Sequence, residues 1–348
     1  MKKEEIKKRN IWLLLFGTFI LSVSCVLINY LLPLYLKEEG LNILQIGALF
    51  TIGLAVGTFF ISVIYSVVLR KISLKTGLRF SSLSSFFQSF ILFLSPSFLI
   101  ILISKSLNEL KSSVFSVSSD VLLQHNGSKK NHRKISSYVL ISDSVGIVGG
   151  FILAILLVPV IGFKYSFLVF SLIPLVTILL FSNINDSVRF KPKKRVKLPD
   201  ISGLLKLILF SEILYWLALS SSFTLVITFL VADSFAGSIY WLSFLFMGLY
   251  LSIVLTTLFS YKYLDKFNLL KTSIFGMFVL FLSAVLIIIS NNLYVVFTAM
   301  VFEGVGAGIW VPSKTAIYWG LVKKENREKV SGYLFGWRRL VSALGPLV

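Results

Sequence analysis

Several charged side chains stand inside long apolar segments of this sequence, and their spacing places them on shared helix faces. Glu303, Trp310 and Lys314 are separated by seven and four residues, which puts them on one face of a helix. Lys105 and Glu109 are one helical turn apart in another apolar segment. Because a charge in the middle of a bilayer costs roughly 2.5–3.5 kcal/mol on insertion scales, such residues are expected to bind a solute, a proton or one another.

The acids are the candidates for proton chemistry. Removal from water favours the neutral form of a carboxyl group, so a buried acid can carry a proton. Glu303 is our first candidate for a proton or substrate site, and Glu109 is the second. Other polar and aromatic residues of the apolar segments complete the predicted site: Lys105, Asn108, Trp310, Lys314, Glu212, Tyr215, Trp216 and Asn29.

Each candidate also fits a structural role, and the sequence leaves both interpretations open. Lys105 and Glu109 could neutralise each other within one helix, and Glu303 could be an acid that only packs against neighbouring helices. Glu212 could belong to a cytoplasmic vestibule, and the aromatic candidates could face lipid near the membrane interface. Asn29 is expected to form a hydrogen bond across helices.

The composition excludes an ordinary soluble domain. Hydrophobic residues make up 56% of the 348 residues and charged residues only 14%, whereas roughly a quarter of a soluble protein is charged. The mean hydropathy is +0.89, and apolar runs of about 20 residues recur along the chain. We therefore predict an all-α membrane protein with spans near residues 11–36, 43–68, 78–95, 97–123, 135–160, 164–183, 201–231, 238–261, 272–290 and 292–321, and an eleventh span starting near 330.

The net charge of +19 is concentrated in alternate connecting segments. Lysines and arginines crowd the N-terminus and the connections near 70–79 and 189–197, whereas the intervening connections carry few of them. This distribution follows the positive-inside rule, so we expect a multi-pass protein of the cell membrane whose N-terminus and central linker are cytoplasmic. We expect contacts with membrane lipids and no nucleic acid partner, because no basic stretch accompanies a soluble domain.

A short segment occurs twice in the chain at an interval of 195 residues. The repeated residues are Asn131, Lys134, Ser136, Tyr138 and Gly150, which return as Asn326, Lys329, Ser331, Tyr333 and Gly345. The repeat predicts two six-helix bundles, with an N-terminal bundle at 1–183, a polar linker at 184–200 and a C-terminal bundle at 201–348. Twelve spans are expected; the eleventh is incomplete here and the twelfth is absent, which we interpret as a fragment of a longer chain.

Other kinds of chemistry find little support in the sequence. Cys25 is the only cysteine, which excludes disulfides within the chain and cysteine-based metal sites. His125 and His132 share one polar loop without nearby carboxylates, so no metal site is expected. The sequence contains no Gly-x-x-x-x-Gly-Lys-Ser/Thr motif and no constellation for nucleophilic catalysis. We therefore expect no cofactor and no enzymatic activity.

The topology, the repeat and several motifs resemble the major facilitator superfamily over the whole chain. That family carries Gly-x-x-x-Asp-Arg/Lys-x-Gly-x-Arg/Lys after spans 2 and 8. The second copy here keeps Asp265 and Lys266, whereas the first copy has Arg70 in place of the acid. Gly146 and Gly150 are similar to the glycine-rich motif of the family's span 5. The resemblance is to multidrug-efflux-like proteins or related prokaryotic permeases.

The resemblance implies a central cavity lined by spans 1, 4, 7 and 10, which are the spans that hold the candidates named above. It also implies a cytoplasmic gate, in which Asp265 interacts with the positive N-terminal end of span 5. The other gating candidates are Lys266, Arg70, Asp143 and Arg338, of which the last two are related by the 195-residue interval.

The function implied is secondary active transport of a small organic solute by alternating access, carried out by a monomer. Acids and aromatic rings amid apolar surface favour proton-coupled efflux of amphipathic or cationic compounds. Lys105 and Lys314, if unpaired, favour instead a uniporter or exchanger of organic anions or sugar derivatives. A receptor-like or lipid-handling protein on the same scaffold is a third interpretation.

Overall fold

The computed structural model describes residues 3–67, 73–95, 97–126, 132–185, 221–234, 238–263 and 268–321, together with 203, 210–212 and 215. Within these residues the fold is all-helical, as predicted. The helices are α1 (Lys3–Val26), α2 (Leu32–Glu38), α3 (Ile43–Val67), α4 (Leu74–Leu94), α5 (Phe98–Asn126), α6 (His132–Ser182), α7 (Ser221–Phe229), α8 (Ile239–Tyr263), α9 (Leu269–Ile288) and α10 (Leu293–Leu321). Two π-helical turns follow α1 and α7, at Leu27–Leu31 and Leu230–Ser234.

Five of the described helical segments are long and apolar enough to cross a membrane: Glu4–Glu38, Lys134–Ser182, Ile239–Ser260, Leu269–Ile288 and Leu293–Tyr318. The segment Lys134–Ser182 has 49 residues, about twice what one crossing requires. It bends at Gly162, where φ is 75° and ψ is 168°. A positive φ is accessible to glycine at little cost, so this residue allows the chain to turn between two consecutive helical stretches.

The helix starts are specified locally by polar residues. Asn42 and Gln45 exchange hydrogen bonds at the start of α3, with side-chain oxygens that accept from each other's backbone N–H at 2.9 and 3.0 Å. Ser73 caps α4 by accepting from the N–H of Thr76 at 3.2 Å. Asn268 caps α9 in the same way. These contacts occupy backbone donors that a helix leaves without a partner at its first turn.

A proline explains the π-helical turn that joins α1 to α2. Pro33 lies at the start of α2 and has no N–H to donate to the carbonyl of Asn29, one turn earlier. The backbone widens into a π-helix over Leu27–Leu31, with Asn29 and Tyr30 inside it. Such turns change the direction in which side chains point and often occur at functional sites. Sequence periodicity assumes a regular helix, so it could not predict the direction of Tyr30.

Glycines bring helices together in both halves of the chain. In α6, a Cβ atom on Gly146 would lie 2.4 Å from the carbonyl oxygen of Phe19 in α1. In α10, a Cβ atom on Gly304 would lie 2.3 Å from the carbonyl oxygen of Leu249 in α8. Only glycine permits such a close approach of backbones, as is typical of membrane helices that pack through small residues. These contacts fix α1 against α6 and α8 against α10.

The end of α6 is tied to α1 and α4. Asn10 and Asn185 exchange two hydrogen bonds of 3.1 Å, from the Asn10 amide to the Asn185 carbonyl and from the Asn185 N–H to Asn10 Oδ1. The guanidinium of Arg79 donates to the hydroxyl of Ser182 at 2.5 and 2.8 Å. A cation near the C-terminal end of a helix also interacts favourably with the helix dipole. The start of the polar segment after α6 is therefore anchored to the first half.

We predict that Gly146→Ala destabilises the protein by about 1–3 kcal/mol, because the added methyl group has no room and α1 must move away. The measurement is the unfolding midpoint of the purified protein in detergent. Gly149→Ala is the matched control: it lies on the same helix, and the nearest atom to its Cβ would be 3.7 Å away. We expect no loss of stability for this variant. An equal loss in both variants would contradict the packing described here.

Candidate functional site

Glu303, Trp310 and Lys314, three residues of α10, all lie near Tyr215. Side-chain hydrogen bonding connects Glu303 to Tyr215. The ring centroids of Trp310 and Tyr215 are 4.4 Å apart. The ammonium nitrogen of Lys314 lies 5.9 Å from the centroid of the Tyr215 ring. One tyrosine thus contacts both an acid and an aromatic–cation pair.

Lys314 forms an ion pair with Glu212, which is 102 positions away in the sequence. The Lys314 nitrogen also lies 3.7 Å from the centroid of the Trp310 ring, in a cation–π geometry. Lys314 is 5% exposed, Glu212 3% and Trp310 1%. The condition under which Lys314 would favour an anionic solute, that it be unpaired, is therefore not met. Trp310 is buried within the protein and does not face lipid, and Glu212 is a buried partner and not an exposed vestibule residue.

Glu303 is buried in the second half and is surrounded by neutral partners. It is 4% exposed, and its side chain hydrogen-bonds with Ser283 of α9 and with Tyr215. The one proton of the Ser283 hydroxyl is donated to the carbonyl of Ala299 at 2.8 Å, which holds α9 against α10. Among the described residues no lysine or arginine forms a salt bridge with Glu303. A proton or a bound cation can therefore neutralise this carboxyl group.

The predicted polar residues of the first half meet where α5 approaches the π-helical turn. The Asn108 amide donates to Asn29 Oδ1 at 2.9 Å and to Glu109 Oε1 at 3.3 Å. Asn29 thus forms the expected hydrogen bond across helices. Asn108 Oδ1 is buried and accepts no hydrogen bond from the described residues. The Lys105 ammonium lies 4.0 Å from the centroid of the Phe50 ring in α3.

Asp143, predicted as a gating residue, lies at the packed contact between α1 and α6. The hydroxyl of Ser22 donates to its carboxylate. The ammonium of Lys111 in α5 is within electrostatic reach of Asp143 and contacts the sulfur of Cys25 at 2.6 Å. The first half thus places the buried Lys111 and the partly buried Asp143 close to one another, as the second half does with Lys314 and Glu212.

Tyrosine hydroxyls connect the two halves of the chain. Tyr30 and Tyr250 share a hydrogen bond between their hydroxyl groups across 220 sequence positions. The Tyr30 ring packs against Phe151 and Phe246, with centroids 5.5 and 5.0 Å away, and these two phenylalanines stack on each other at 5.6 Å. Tyr250 is within electrostatic reach of both Asp143 and Glu303. The hydroxyl pair is therefore near one acid of each half.

An ion pair between α2 and the second π-helical turn also joins the two halves of the chain. Lys37, near the end of α2, pairs with Asp233 in the second π-helical turn. The two residues are 196 positions apart, close to the 195-residue interval of the sequence repeat. Their side chains are 31% and 48% exposed, so this pair is partly open to solvent. Its contribution to stability is therefore small compared with that of a buried pair.

Comparison with known proteins identifies this architecture. The sequence model of the Major Facilitator Superfamily matches residues 6–346. The chain belongs to the Major Facilitator Superfamily. Among solved structures, the human organic anion transporter MFSD10 (TETRAN) aligns at 15% identity and a TM-score of 0.75, over 98% of this chain and 92% of that one. A bacterial homologue of the iron transporter ferroportin, with soaked iron, aligns at 15% identity and a TM-score of 0.73, over 97% and 90%. No curated protein sequence matches the chain.

Membership of the superfamily makes this chain a multi-pass membrane protein of a transporter family, and transporters are not enzymes. The described residues contain no group of three or more His, Cys, Asp or Glu side chains that could hold a metal ion. Five predicted residues lie outside the part of the chain that the structure describes: Trp216, Asp265, Lys266, Arg70 and Arg338. Their roles in the site and in the cytoplasmic gate stay predictions.

Some residues of the site carried no signal in the sequence. Tyr30 and Tyr250 were not candidates, because tyrosine is common in membrane helices and a contact between the halves has no local pattern. Ser283 was one of many serines. Asp233 could have been found from the repeat, since the 195-residue interval places it one position beyond the counterpart of Lys37. Opposite charges at nearly equivalent positions of two bundles can meet at a two-fold axis.

We predict that Lys314→Met destabilises the protein by about 3–5 kcal/mol, because it leaves the Glu212 carboxylate buried without its ammonium partner. The unfolding midpoint in detergent is the measurement. Lys37→Met is the matched control: it removes a lysine from the partly exposed pair and is expected to cost at most about 1 kcal/mol. Equal costs for the two substitutions would show that the Lys314–Glu212 pair is not the buried pair described here.

Proposed function

We propose that this chain is a secondary active transporter that couples movement of a small organic cation to movement of protons, and that Glu303 is the residue that binds either one. The observation that carries the proposal is the setting of Glu303. It is a buried carboxyl group with neutral hydrogen-bond partners and no salt bridge among the described residues. A carboxylate in such a place requires a positive partner, and a proton and an organic cation compete for that role.

The buried lysines support a cationic substrate, because each lies near another group. Lys314 is paired with Glu212, and Lys111 is near Asp143. Lys105 lies over the face of Phe50. An anionic solute would have to draw one of these lysines away from its present contact. A cationic solute can instead bind the Glu303 carboxylate, with which no lysine forms a salt bridge among the described residues, and the face of the Tyr215 ring.

Alternating access follows from contacts that can form and break between the halves. The Tyr30–Tyr250 hydrogen bond and the Lys37–Asp233 pair each join one half to the other. The glycine contacts lie within each half, so we expect each half to move as a unit. With the N-terminus in the cytoplasm, α2 ends at the outer side, and the Lys37–Asp233 pair becomes an outer gate. Protonation of Glu303 releases the cation and shifts the equilibrium between the two arrangements.

Efflux is the direction that we propose, with the cell membrane as the location. The sequence contains no nucleotide-binding motif, so an ion gradient is the energy source that remains. An inward proton gradient loads Glu303 from the outer side and favours cation release there. The positive-inside distribution of lysine and arginine sets this orientation.

Exchange of organic anions is the second candidate function. It is favoured by the lysines that are buried in the described part of the chain, Lys105, Lys111 and Lys314. The similar fold of the human organic anion transporter MFSD10 is compatible with it, although a likeness at 15% identity concerns the fold alone. In this case one of the lysines releases its present partner and binds the substrate. The two candidates predict opposite preferences for probe charge.

The experiment uses the protein in liposomes that contain a pH-sensitive dye, with tetraphenylphosphonium as a cationic probe and fluorescein as an anionic probe. We expect tetraphenylphosphonium to drive proton movement in the wild type. Glu303→Gln should abolish this movement and also weaken exchange of labelled for unlabelled probe, because the neutral amide mimics the protonated acid, which does not hold the cation. Glu109→Gln is the matched control, since Glu109 is equally buried but lies in the first half; we expect it to retain coupling.

Three outcomes would contradict the proposal in different ways. Proton movement that survives Glu303→Gln removes the coupling role from this residue, and loss in Glu109→Gln alone moves it to the first half. Transport of fluorescein but not tetraphenylphosphonium favours the anion exchanger. No movement of any solute in a broad panel favours a receptor-like or lipid-handling protein.

A further inference from the structure

The Lys314 ammonium lies near one carboxylate and two aromatic rings, which are groups that bind cations. We propose that Lys314 is a tethered stand-in for the ammonium group of the substrate, and that an organic cation displaces it from Trp310 and Glu212 during transport. This inference rests on the proposed function and makes it more specific. It defines a second binding position for the cation next to the proton site, and it names the chemical class as organic ammonium or a similar delocalised cation.

The groups around the Lys314 nitrogen are of the kinds that bind organic cations. An aromatic face lies 3.7 Å from the nitrogen of Lys314, a second ring lies 5.9 Å away, and the Glu212 carboxylate forms an ion pair with the same nitrogen. The two rings pack with centroids 4.4 Å apart. Aromatic faces combined with a carboxylate are the means by which proteins recognise ammonium ligands. Trp310, Tyr215 and Glu212 thus form a cation box, which the chain itself occupies.

The charges of Glu212 and Lys314 balance each other. Glu212 and Lys314 are both almost fully buried, so Glu212 requires a positive partner at every stage. An organic cation that replaces the Lys314 ammonium leaves the charge balance of the box unchanged. An organic anion that binds Lys314 takes the ammonium partner away from the buried Glu212 carboxylate. The box therefore discriminates between substrates by the sign of their charge.

Pro312 interrupts the backbone hydrogen-bond ladder of α10 just before Lys314. Pro312, two positions before Lys314, cannot donate to the carbonyl of Gly308. That carbonyl instead accepts from the hydroxyl of Thr257 in α8 at 3.4 Å. The helix before the proline is held against α8 by Gly304 and Gly308. The turn that carries Lys314 lies beyond the break in the hydrogen-bond ladder, where a helix can bend.

The box is also connected to the proton site. Tyr215 is joined to Glu303 by side-chain hydrogen bonding and packs against Trp310. A substrate that displaces Lys314 changes the surroundings of Tyr215, and through it those of Glu303. Binding in the box and proton release from Glu303 are therefore coupled through one side chain.

The test is equilibrium binding of tetraphenylphosphonium to the purified protein in detergent. Lys314→Met removes the competing ammonium and leaves Glu212 in need of a cation, so we expect the probe to bind about tenfold more tightly than to the wild type. The probe should also raise the unfolding temperature of this variant more than that of the wild type. Trp310→Leu and Glu212→Gln should each weaken binding about tenfold, because each removes one wall of the box.

Control variants keep the test decisive. The double variant Glu212→Gln/Lys314→Met lacks both charges and therefore avoids an unpaired buried carboxylate. We expect it to fold and to lose the gain in affinity. Lys111→Met removes another buried lysine, in the first half, and should leave the affinity unchanged. A gain in both lysine variants would mean that lower positive charge alone attracts the probe, and would overturn the proposal.

Weaker or unchanged binding of tetraphenylphosphonium to folded Lys314→Met would also overturn the proposal, as would loss of fluorescein binding in that variant. Failure of the proposed function is distinguishable. If Lys314→Met binds the cation more tightly but Glu303→Gln still moves protons, the cation box stands and the proton assignment fails. If proton movement depends on Glu303 but the affinity does not rise, the cation box fails alone.

Discussion

A charge buried in a membrane-spanning bundle must meet an opposite charge, an aromatic face or a proton, and this constraint organises the site. Lys314 meets Glu212 and the face of Trp310. Lys105 meets the face of Phe50. Glu303 hydrogen-bonds only with neutral groups among the described residues, and in the function that we propose a proton or an organic cation balances its charge. Glu212 and Glu303 thus differ in their partners, although all the residues concerned are buried to a similar extent.

The contacts of the chain fall into two classes with different consequences for motion. Within each half, glycines bring backbones into direct contact, as Gly146 does with Phe19 and Gly304 with Leu249. Such packing fits only one arrangement of the helices. Between the halves, the structure shows a tyrosine hydrogen bond, a partly exposed ion pair and the stacking of Phe151 on Phe246. The alternating access that we propose requires two rigid bodies joined by contacts that can be replaced.

Patterns among neighbouring residues predicted the helices and the residues that share a helix face. Apolar runs of the right length predicted the helices, and the spacing of Glu303 and Lys314 predicted their common face. The pairing of Lys314 with Glu212 could not be predicted, because the two residues are 102 positions apart and nothing in either segment sets their register. Tyr30 was missed for a second reason: the π-helical turn after α1 alters the direction of its side chain. Local sequence therefore could not predict two features: the register between distant segments and the irregular backbone of the π-helical turn.

The central claim is that Glu303 exchanges a proton for a cation. The most direct measurement is infrared difference spectroscopy of the protein in membranes, with and without tetraphenylphosphonium, on the wild type and on Glu303→Gln. The account predicts a protonated carboxyl band that disappears when the cation binds and that is missing from Glu303→Gln. A band that stays unchanged on binding, or that persists in Glu303→Gln, would contradict the account.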